Sequence, residues 1–519
     1  MDKIYIIDMG SQYSHLIARR VRELGVYSEI IPPNISISDL MVLSPKGIIL
    51  SGGPSSVYEE NSPKLEESFY EYIKAEGIPI LGICYGLHLI IHQLGGKIEP
   101  NEKKEYGKTE LEILDFDSLF SSLDKKEIVW MSHGDQISQM PDGFKILAKT
   151  NTCPIAAFGN EKLNIYGVQF HPEVVHTAKG TNILKNFIYN IAGAKNEWKL
   201  ENWIETTVDS IKEEVGAINR VILGLSGGVD SSVCAALLHK AIGDRLHCIF
   251  VNNGVLRKNE EFEVPKQFRE KMNFKNFHYV DAESLFLEKL KDVDDPEEKR
   301  RIIGHTFIEV FEKKTIELET EHPSIKFLAQ GTIYPDRVET AATSKNAAKI
   351  KSHHNLTLPE EMKLTIIEPL KDLYKDEVRK IGKQLGLESE LIDRHPFPGP
   401  GLAVRCVGAI DKEKLDILRE ADLILLEEVR NAGIYNDLWQ VFCVLLPVKT
   451  VGVMGDFRTY EYICAIRAVE SKDVMTASFA KLDWDLLEKI GTRIINEVKG
   501  FNRVVYDISN KPPSTIEYE

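Results

Sequence analysis

The chain has 519 residues, of which 43% are hydrophobic and 28% are charged, and its formal net charge at pH 7 is −15. This length predicts about three domains of an ordinary globular protein. The acidic excess argues against a nucleic-acid-binding surface, and no apolar run reaches membrane-spanning length. Seven scattered cysteines without a C-x-x-C pair predict neither disulfides nor a zinc site, and a start without a signal peptide predicts a cytoplasmic protein.

The first part of the chain alternates predicted strands with predicted helices. Apolar runs predict strands over residues 4–8, 27–31, 47–50 and 78–83, with a helix over residues 11–24. Strands that alternate with helices predict a doubly wound α/β domain, which we place at residues 1–195.

The fourth of these strands leads directly into Gly82-Ile83-Cys84-Tyr85-Gly86. This is the pattern of a nucleophile elbow with cysteine in place of serine, in which small flanking residues permit a sharp turn from strand to helix. The helix N-terminus that follows favours a thiolate over a thiol. A structural cysteine at a strand end is the alternative, because cysteine is often fully buried.

A second stretch, Gly167-Val168-Gln169-Phe170-His171-Pro172-Glu173, favours the catalytic interpretation. A strand delivers His171 to a turn with Glu173 two residues further on, so one residue can act as a base and the other can orient it. A His-Pro-Glu triplet alone is more often a surface turn. Its combination with the cysteine elbow and with Ser51-Gly52-Gly53-Pro54 makes chance a poor explanation.

Together these motifs resemble the class I (triad) glutamine amidotransferases over nearly the whole first domain. The resemblance implies that Cys84 attacks the glutamine amide, that His171 is the base and proton shuttle, and that Glu173 orients His171. The products would be glutamate and ammonia. It also implies an oxyanion hole formed by the backbone N–H groups of Gly53 and Tyr85.

One position departs from the family pattern. His88, four residues after the cysteine, stands where the family commonly has a Gln that helps to hold the substrate. His88 can take its place, which leaves the contacts with glutamine open. The stretch Ser132-His133-Gly134-Asp135 is expected to border the same pocket.

A second α/β pattern begins with VILGLSGGVDSS, residues 221–232. An apolar strand breaks at two glycines and a helix begins near Ser231, so backbone N–H groups and the helix dipole are directed at one anion site. The lysine of a Walker P-loop is missing. A carboxylate beside a phosphate implies a metal ion between them, so Asp230 predicts a nucleotide–Mg²⁺ site. A tight strand-to-helix turn without a ligand is the alternative.

This loop resembles the pyrophosphate-binding loop (SGGxDS) of the N-type ATP pyrophosphatases. The resemblance implies that the loop holds the β- and γ-phosphates of ATP while a substrate oxygen attacks the α-phosphorus. Pyrophosphate leaves, and an amine or a sulfur nucleophile then displaces AMP from the adenylated intermediate. The implied ATP-binding residues are Ser226, Gly227, Gly228, Val229, Asp230, Ser231 and Ser232.

Three further stretches indicate one particular family within the ATP pyrophosphatases: GTIYPD (331–336), KIKSHHN (349–355) and EPLKDLYKDEVR (368–379). They occur in this order in a family of glutamine-dependent ligases that aminate xanthosine monophosphate (XMP), and the match covers essentially the whole chain. Lys349 and Lys351 are candidates for neutralising phosphate charge, although a basic run is usually a solvated loop. Asn252 stands where that family usually has Asp, close to the nucleotide.

Residues 396–519 predict a small α+β domain after a Pro- and Gly-rich stretch. Helices are predicted over residues 412–432 and 484–498, and strands over 440–446, 461–469 and 503–508. So small a unit would bury more apolar surface by pairing with a second copy, and it resembles the dimerisation domain of bacterial family members. The tail alone would predict a frayed end. The resemblance instead assigns Lys511, Thr515, Ile516 and Glu517 to the phosphate and base of XMP.

The sequence therefore predicts two doubly wound α/β domains, at residues 1–195 and 196–395, and a small α+β dimerisation domain at 396–519. The resemblance implies ATP-dependent amination of XMP to GMP with ammonia from glutamine, through adenylyl-XMP, in a homodimer that uses Mg²⁺ and has no nucleic-acid or membrane partner. The ammonia must reach the second site unprotonated, which requires that water be excluded.

Three alternatives stay open at this point. Another amidating ligase, such as an NAD synthetase, would share the loop but lack the tail. A binding protein with an inactive glutaminase half would have lost a member of the Cys-His-Glu set. An RNA-thiolating pyrophosphatase would need a second catalytic cysteine near the loop, whereas Cys234 lies inside the following predicted helix.

Overall fold

The computed structural model describes residues 1–116, 118–337, 364–471 and 476–519, which divide into two compact units, Met1–Trp203 and Ile204–Glu519. Within these residues the first unit contains a nine-stranded sheet, and the second contains a five-stranded and a four-stranded sheet. None of the helices described is both long enough and apolar enough to cross a membrane.

The first unit is an α/β layer with an antiparallel extension. In chain order its elements are β1 (Lys3–Ile7), α1 (Ser14–Glu23), β2 (Tyr27–Ile31), α2 (Ile37–Leu43), β3 (Gly47–Leu50), α3 (Phe69–Glu76), β4 (Ile80–Ile83), α4 (Tyr85–Gln93), β5 (Lys97–Ile113), β6 (Lys126–Gln139), β7 (Lys145–Lys149), β8 (Ala157–Asn160), β9 (Ile165–Val168) and α5 (Gly180–Lys185). The strand order is β2-β1-β3-β4-β9-β8-β7-β5-β6. Strands β1 to β4 and β9 run parallel, so their carboxyl ends meet at one edge, where α/β proteins bind ligands.

Helix α4 is the most deeply buried helix next to this edge. Its residues from Tyr85 to Ile91 are all buried, in a segment that is apolar on nearly every side. Leu87, Leu89 and Ile90 pack into the same core as the strands of the parallel sheet. The start of α4 is therefore fixed rigidly against the end of β4.

The second unit contains a parallel sheet followed by the C-terminal sheet. In chain order its elements are α6 (Leu200–Val215), β10 (Arg220–Gly224), α7 (Val229–Ile242), β11 (Leu246–Asn252), α8 (Glu260–Lys266), β12 (Phe277–Asp281), α9 (Glu283–Lys289), α10 (Pro296–Glu321), β13 (Ile325–Ala329), β14 (Thr365–Ile367), α11 (Lys375–Gln384), α12 (Ser389–Ile392), α13 (Lys412–Asn431), β15 (Gln440–Met454), β16 (Phe457–Glu470), β17 (Ser478–Phe479), α14 (Trp484–Glu497) and β18 (Phe501–Tyr506). Shorter helical turns across both units are Ser118–Phe120, Asn186–Ile191, Gly243–Arg245, Gln267–Lys271, Gly401–Val404 and Tyr435–Asp437.

The two sheets of the second unit share one hydrophobic core. The parallel sheet has the order β12-β11-β10-β13-β14, and in the other sheet β16 pairs with β15, β17 and β18. A single buried cluster runs from Ile222 on β10 through Leu402 and Leu418 to Phe501 on β18. The predicted class, two α/β layers followed by a small α+β part, is confirmed.

Three predicted elements were too short. The sequence of residues 297–312 predicts a long amphipathic helix, and this is α10, which begins at Pro296, is capped by the Asp295 side chain and continues to Glu321. Strands β15 and β16 extend far beyond the predicted 440–446 and 461–469 and form one long hairpin. Pro447 lies where the pairing register shifts between Leu446 and Lys449, and this bulge accommodates the proline.

We predict that Gly180→Ala destabilises the first unit. A Cβ at Gly180 would lie 1.9 Å from the carbonyl oxygen of Pro172, and backbone cannot yield as a flexible side chain can. We expect a loss of about 1–3 kcal/mol, measured by thermal unfolding followed by circular dichroism. The control is Gly304→Ala in α10, where a Cβ meets nothing within 4 Å and should stabilise the helix by up to about 1 kcal/mol. An unchanged midpoint for Gly180→Ala would contradict the packing described.

Candidate active sites

Cys84 lies at the junction between β4 and α4 in a strained conformation. Its φ is +51°, which a side chain other than glycine rarely adopts. The flanking glycines are required by space: a Cβ at Gly82 would lie 2.6 Å from Gly86 backbone, and one at Gly86 would lie 2.5 Å from the Leu50 carbonyl oxygen. The strand and the helix approach so closely that the thiol is held at the sheet edge.

His171 and Glu173 form a buried pair at the end of the neighbouring strand β9. The His171 Nδ1–H donates to Glu173 Oε1 at 2.7 Å, and both side chains are almost fully buried. Burial is the largest single influence and lowers the pKa of His171. The Glu173 carboxylate and the hydrogen bonds to Cys84 and Glu173 outweigh it and raise the pKa well above its ordinary value. The imidazole is therefore suited to accept and keep the thiol proton.

The two expected oxyanion donors lie next to one another. Tyr85 is the first residue of α4, where a helix has no internal acceptor for the backbone N–H. At Gly53 a Cβ would lie 2.5 Å from the Met9 carbonyl oxygen and 3.4 Å from Tyr85 Cγ. Only glycine allows the backbone of residue 53 to approach this closely.

The stretch at residues 132–135 also lies at this site. The Cys84 thiol donates to the Ser132 carbonyl oxygen at 3.6 Å. Asp135 accepts hydrogen bonds from Ser56 at 2.6 Å and from Tyr58 at 2.8 Å, which tie the loop after β3 to strand β6. The predicted position of this stretch beside the site agrees with these contacts.

Gln169 is a site residue that the motif analysis missed. Its Nε2 lies 3.8 Å from Cys84 Sγ, and its Oε1 lies 2.7 Å from His88 Nε2. Both Gln169 and His88 are buried. The signal was present in the sequence, because residues 169 and 171 are two apart at a strand end and two-residue spacing places side chains on one face.

A cluster of one glutamate, one histidine and one cysteine forms in the folded chain, although the sequence has no short-spaced His/Cys motif. Residues distant in sequence, Glu105, His133 and Cys153, lie with their ligand atoms within 4.8 Å of one another. Protein groups already occupy Glu105, which accepts from Thr150 at 2.8 Å and pairs with His133 Nε2 at 3.0 Å. The group is a buried hydrogen-bonded anchor between β5 and β6.

The glycine-rich loop of the second unit links β10 to α7. Gly227 has a φ of +77°, and Gly228 N–H donates to Ser226 Oγ at 3.2 Å. Ser226 and Gly228 are exposed at the helix N-terminus, as an anion site requires. By contrast, Ser232 is buried and its hydroxyl donates to the Gly228 carbonyl oxygen at 2.7 Å, so it braces the loop and does not serve as a free donor.

Asp230 lies in the first turn of α7 and has two different oxygen environments. Oδ2 pairs with Lys375 Nζ of α11 at 2.5 Å. Oδ1 is buried, and the described part of the chain gives it no hydrogen-bond partner. A buried carboxylate oxygen that accepts no hydrogen bond is suited to bind a hard cation such as Mg²⁺.

Asn252 is the second departure from the family pattern, and its amide forms hydrogen bonds with both of its neighbouring groups. Its Nδ2 donates to Asp281 Oδ1 at 3.1 Å, and its Oδ1 accepts from Gly254 N–H at 3.1 Å. An aspartate here would set two carboxylates against each other, which is unfavourable without a cation.

The C-terminal tail is held by two fully buried arginines, so the frayed end that composition alone suggested is wrong. Arg405 binds both oxygens of Glu517, at 2.9 and 3.1 Å, and Gln440 donates to the same carboxylate at 2.6 Å. Arg467 donates to the carbonyl oxygens of Ser509 and Thr515, at 2.6 and 3.0 Å.

The remaining predicted tail residues lie in the same segment. Ile516 is buried against Phe442 and Val444, Thr515 Oγ1 donates to the Glu517 carbonyl oxygen, and the backbone of Lys511 pairs with Ala477. Lys349, Lys351 and the rest of KIKSHHN lie outside the described residues.

Three family models match the chain. A model described as "Glutamine amidotransferase class-I" matches residues 5–191, one described as "NAD synthase" matches residues 199–306, and one described as "GMP synthase C terminal domain" matches residues 427–518. The first two correspond to the two α/β layers, and the third corresponds to the C-terminal sheet.

Curated relatives match over the whole length. A protein named GMP synthase (glutamine-hydrolyzing) from Brachyspira hyodysenteriae is 54% identical over 520 residues, which cover 100% of this chain and 99% of that protein. Proteins with the same name from Carboxydothermus hydrogenoformans and Aquifex aeolicus are 55% and 53% identical, over 100% and 99% of this chain and 99% of each protein.

These findings define the class first: a class I glutamine amidotransferase joined to an ATP pyrophosphatase-type synthetase. Since the similarity extends at more than half identity through the C-terminal part, the chain belongs to the family of glutamine-hydrolysing GMP synthases. The alternative of an NAD synthetase required a chain without the matching C-terminal part, and this chain has it.

We predict that Glu173→Gln lowers the pKa of His171, because the amide removes the negative charge that raises it. Glutamine hydrolysis should fall at least about 10²-fold, the range typical of a lost acid–base contribution. A histidine with a raised folded pKa stabilises the native state below its ordinary value of 6.5, and this stabilisation is lost as pH rises through the folded value. The variant should therefore be destabilised more below pH 6.5 than well above it, measured by unfolding midpoints across pH.

The matched control is Glu23→Gln, which removes a partly exposed carboxylate paired with Arg19 and Arg20. Exposed ion pairs contribute little, so both measurements should stay near wild type. Equal hydrolysis rates in Glu173→Gln and Glu23→Gln would contradict the assigned role of Glu173.

Proposed function

We propose that this chain converts XMP, ATP, glutamine and water to GMP, AMP, pyrophosphate and glutamate. The observation that carries the proposal is the coexistence of two candidate sites in a chain whose full-length relatives are named GMP synthase (glutamine-hydrolyzing). A buried Cys-His-Glu set lies at one sheet edge, and an exposed glycine-rich helix N-terminus lies at another.

In the first site we assign Cys84 as the nucleophile. Its thiol proton passes to His171, and Sγ attacks the glutamine amide carbon. The backbone N–H groups of Gly53 and Tyr85 stabilise the oxyanion, and His171 returns the proton to the leaving ammonia. Water then hydrolyses the thioester and glutamate leaves. The Glu173 hydrogen bond keeps the imidazole oriented throughout.

In the second site we assign residues 226–232 to the phosphates of ATP. The C2 oxygen of XMP attacks the α-phosphorus and pyrophosphate leaves. Ammonia attacks C2 of adenylyl-XMP, and AMP leaves. Ser226 and Gly228 are the exposed residues of the loop that we assign to contact the pyrophosphate. Ser232 stabilises the loop from behind.

Asp230 is our candidate for holding Mg²⁺, because its Oδ1 is buried without a hydrogen-bond partner among the described residues. When bound, the ion supplies neutralisation of phosphate charge. Lys375, paired with the other oxygen, holds the carboxylate in place.

We assign the XMP site to the tail residues Lys511, Thr515, Ile516 and Glu517. This assignment is supported by the fixed conformation of the tail, which the buried Arg405 and Arg467 hold through hydrogen bonds. A tail fixed in this way can present Lys511 to a phosphate without a large ordering cost on binding.

We propose that the chain forms a homodimer through the hairpin of β15 and β16. Val451 and Val453 lie on one face of β15, and Tyr460 lies directly opposite Val451. All three are more than half exposed, at 53%, 73% and 58%. A second copy of the same hairpin would cover this apolar face, and a twofold axis makes such a patch self-complementary.

We predict that Cys84→Ala loses glutamine-dependent GMP formation and keeps ammonium-dependent formation, because the substitution removes only the first nucleophile. GMP is separated from XMP by chromatography after incubation with ATP and magnesium. Wild type should use both donors. If wild type makes no GMP from either donor, the XMP assignment fails. If Cys84→Ala still uses glutamine, Cys84 is not the nucleophile.

We predict that the double variant Val451→Asp/Tyr460→Asp sediments as a monomer at a concentration where wild type sediments as a dimer. Two carboxylates placed on the apolar face would be buried without partners in the interface. The control is Val42→Asp/Ile218→Asp, which changes two apolar residues outside the hairpin that are more exposed, at 84% and 77%. A monomeric wild type would refute the dimer, and a dimeric hairpin variant would place the interface elsewhere.

A further inference from the structure

Gln169 occupies a position that the proposed glutaminase steps leave unexplained. Its side chain is buried and bridges two groups, Cys84 Sγ at 3.8 Å and His88 Nε2 at 2.7 Å. The sequence departure at residue 88 suggested a histidine that contacts glutamine. His88 instead lies against Gln169, completely buried in helix α4.

The direction of the two hydrogen bonds determines which group Gln169 presents to the Cys84 sulfur. Burial lowers the pKa of His88 to about 4, so the ring is neutral and carries one N–H. With that hydrogen on Nε2, His88 donates to Gln169 Oε1, and the amide NH₂ group is directed at sulfur. The reversed amide would place a carbonyl oxygen against a thiolate, which is repulsive.

Cys84 thus has a different partner for each of its protonation states. The thiol S–H donates to the Ser132 carbonyl oxygen at 3.6 Å. The thiolate has no hydrogen to donate and instead accepts from the Gln169 amide. A donor aimed at the charged form lowers the pKa of an acid.

We propose that Gln169 is a catalytic residue that donates an amide N–H to the Cys84 thiolate, and that His88 is the positioning residue that holds this amide in the donating orientation. The inference rests on the proposed glutaminase function and extends it. The thiol proton goes to His171, and the Gln169 N–H stabilises the sulfur charge left behind. When Sγ bonds to the amide carbon of glutamine, the charge moves to the oxyanion.

The titratable groups that surround this bridge come from several elements. His171 and Glu173 follow β9 and lie on one side of the sulfur. Asp135 and His133 of β6 act on His88 from the other side, with opposite effects on its pKa. A test of the bridge must therefore measure the titration of Cys84 itself.

The experiment is the pH dependence of Cys84 alkylation by iodoacetamide in the full chain, followed by mass spectrometry of the peptide that contains Cys84. We expect Gln169→Met, which keeps the volume and removes the N–H, to raise the midpoint of the titration by about one to two pH units. His88→Phe should raise it in the same direction, because the unanchored amide can turn its oxygen towards sulfur. His88→Gln offers a new NH₂ donor to Gln169 Oε1 and should restore the wild-type midpoint.

The matched control is His92→Leu, one turn further along α4, where the side chain is exposed and should leave the midpoint unchanged. An unchanged midpoint in both Gln169→Met and His88→Phe would overturn the inference. So would a normal midpoint combined with a raised KM for glutamine, since that pattern belongs to a substrate contact. If Gln169→Met does not fold, the comparison of His88→Phe with His88→Gln decides alone. Alkylation requires no turnover, so this result stands apart from any failure to make GMP.

Discussion

Both candidate sites depend on the same constraint, the contact of a helix N-terminus with the end of a parallel strand. In the first unit Gly82 and Gly86 let β4 and α4 meet with backbone atoms almost touching. In the second, Gly331 lies at the end of β13, and a Cβ there would be 3.2 Å from the backbone nitrogen of Ser231. Any side chain at these positions would separate strand from helix and withdraw the helix dipole from the ligand. One physical arrangement therefore recurs at both candidate sites, beside Cys84 in one unit and at the glycine-rich loop in the other.

Charges buried close to these sites are paired, and the pairing fixes the geometry. The His171–Glu173 bond orients the base, and the Arg405–Glu517 and Arg467 contacts fix the tail. Taking such groups out of water is costly, and breaking a pair is costlier still, so each pair strongly disfavours alternative arrangements. The tail is consequently held against the core, in which Ile516 is buried.

The sequence was most informative where one short motif contains its own geometry. The strand lengths before Cys84 and Ser226, the flanking glycines and the spacing of His171 and Glu173 are all local, so periodicity and steric reasoning were sufficient to predict them. The fold class followed from the same alternation. The ends of β15 and β16 were missed because Pro447 is normally a strand breaker, and only cross-strand pairing reveals the bulge that accommodates it.

What could not be predicted depends on residues that meet only in the folded chain. Nothing in the sequence joins Glu105 to His133 and Cys153, and nothing in the composition of the tail indicates that Arg405 and Arg467 lie beneath it. The departure at Asn252 likewise makes sense only beside Asp281, which is its partner across β11 and β12. Asn252, which differs from the family pattern, thus forms a hydrogen bond that suits its neighbour Asp281 within this chain.

His88 illustrates how such a change can be accommodated. A neutral histidine with its hydrogen on Nε2 offers only a donor in the direction of Gln169, and the NH₂ group of a glutamine in the His88→Gln variant would offer the same donor. The ring therefore imposes one orientation on Gln169, and the short distance of 2.7 Å leaves no room for a bridging water. Because α4 is buried along this face, the ring cannot turn away without opening a cavity in the core. In the proposed arrangement, His88 acts on the nucleophile through its hydrogen bond to Gln169, a contact that the sequence alone does not reveal.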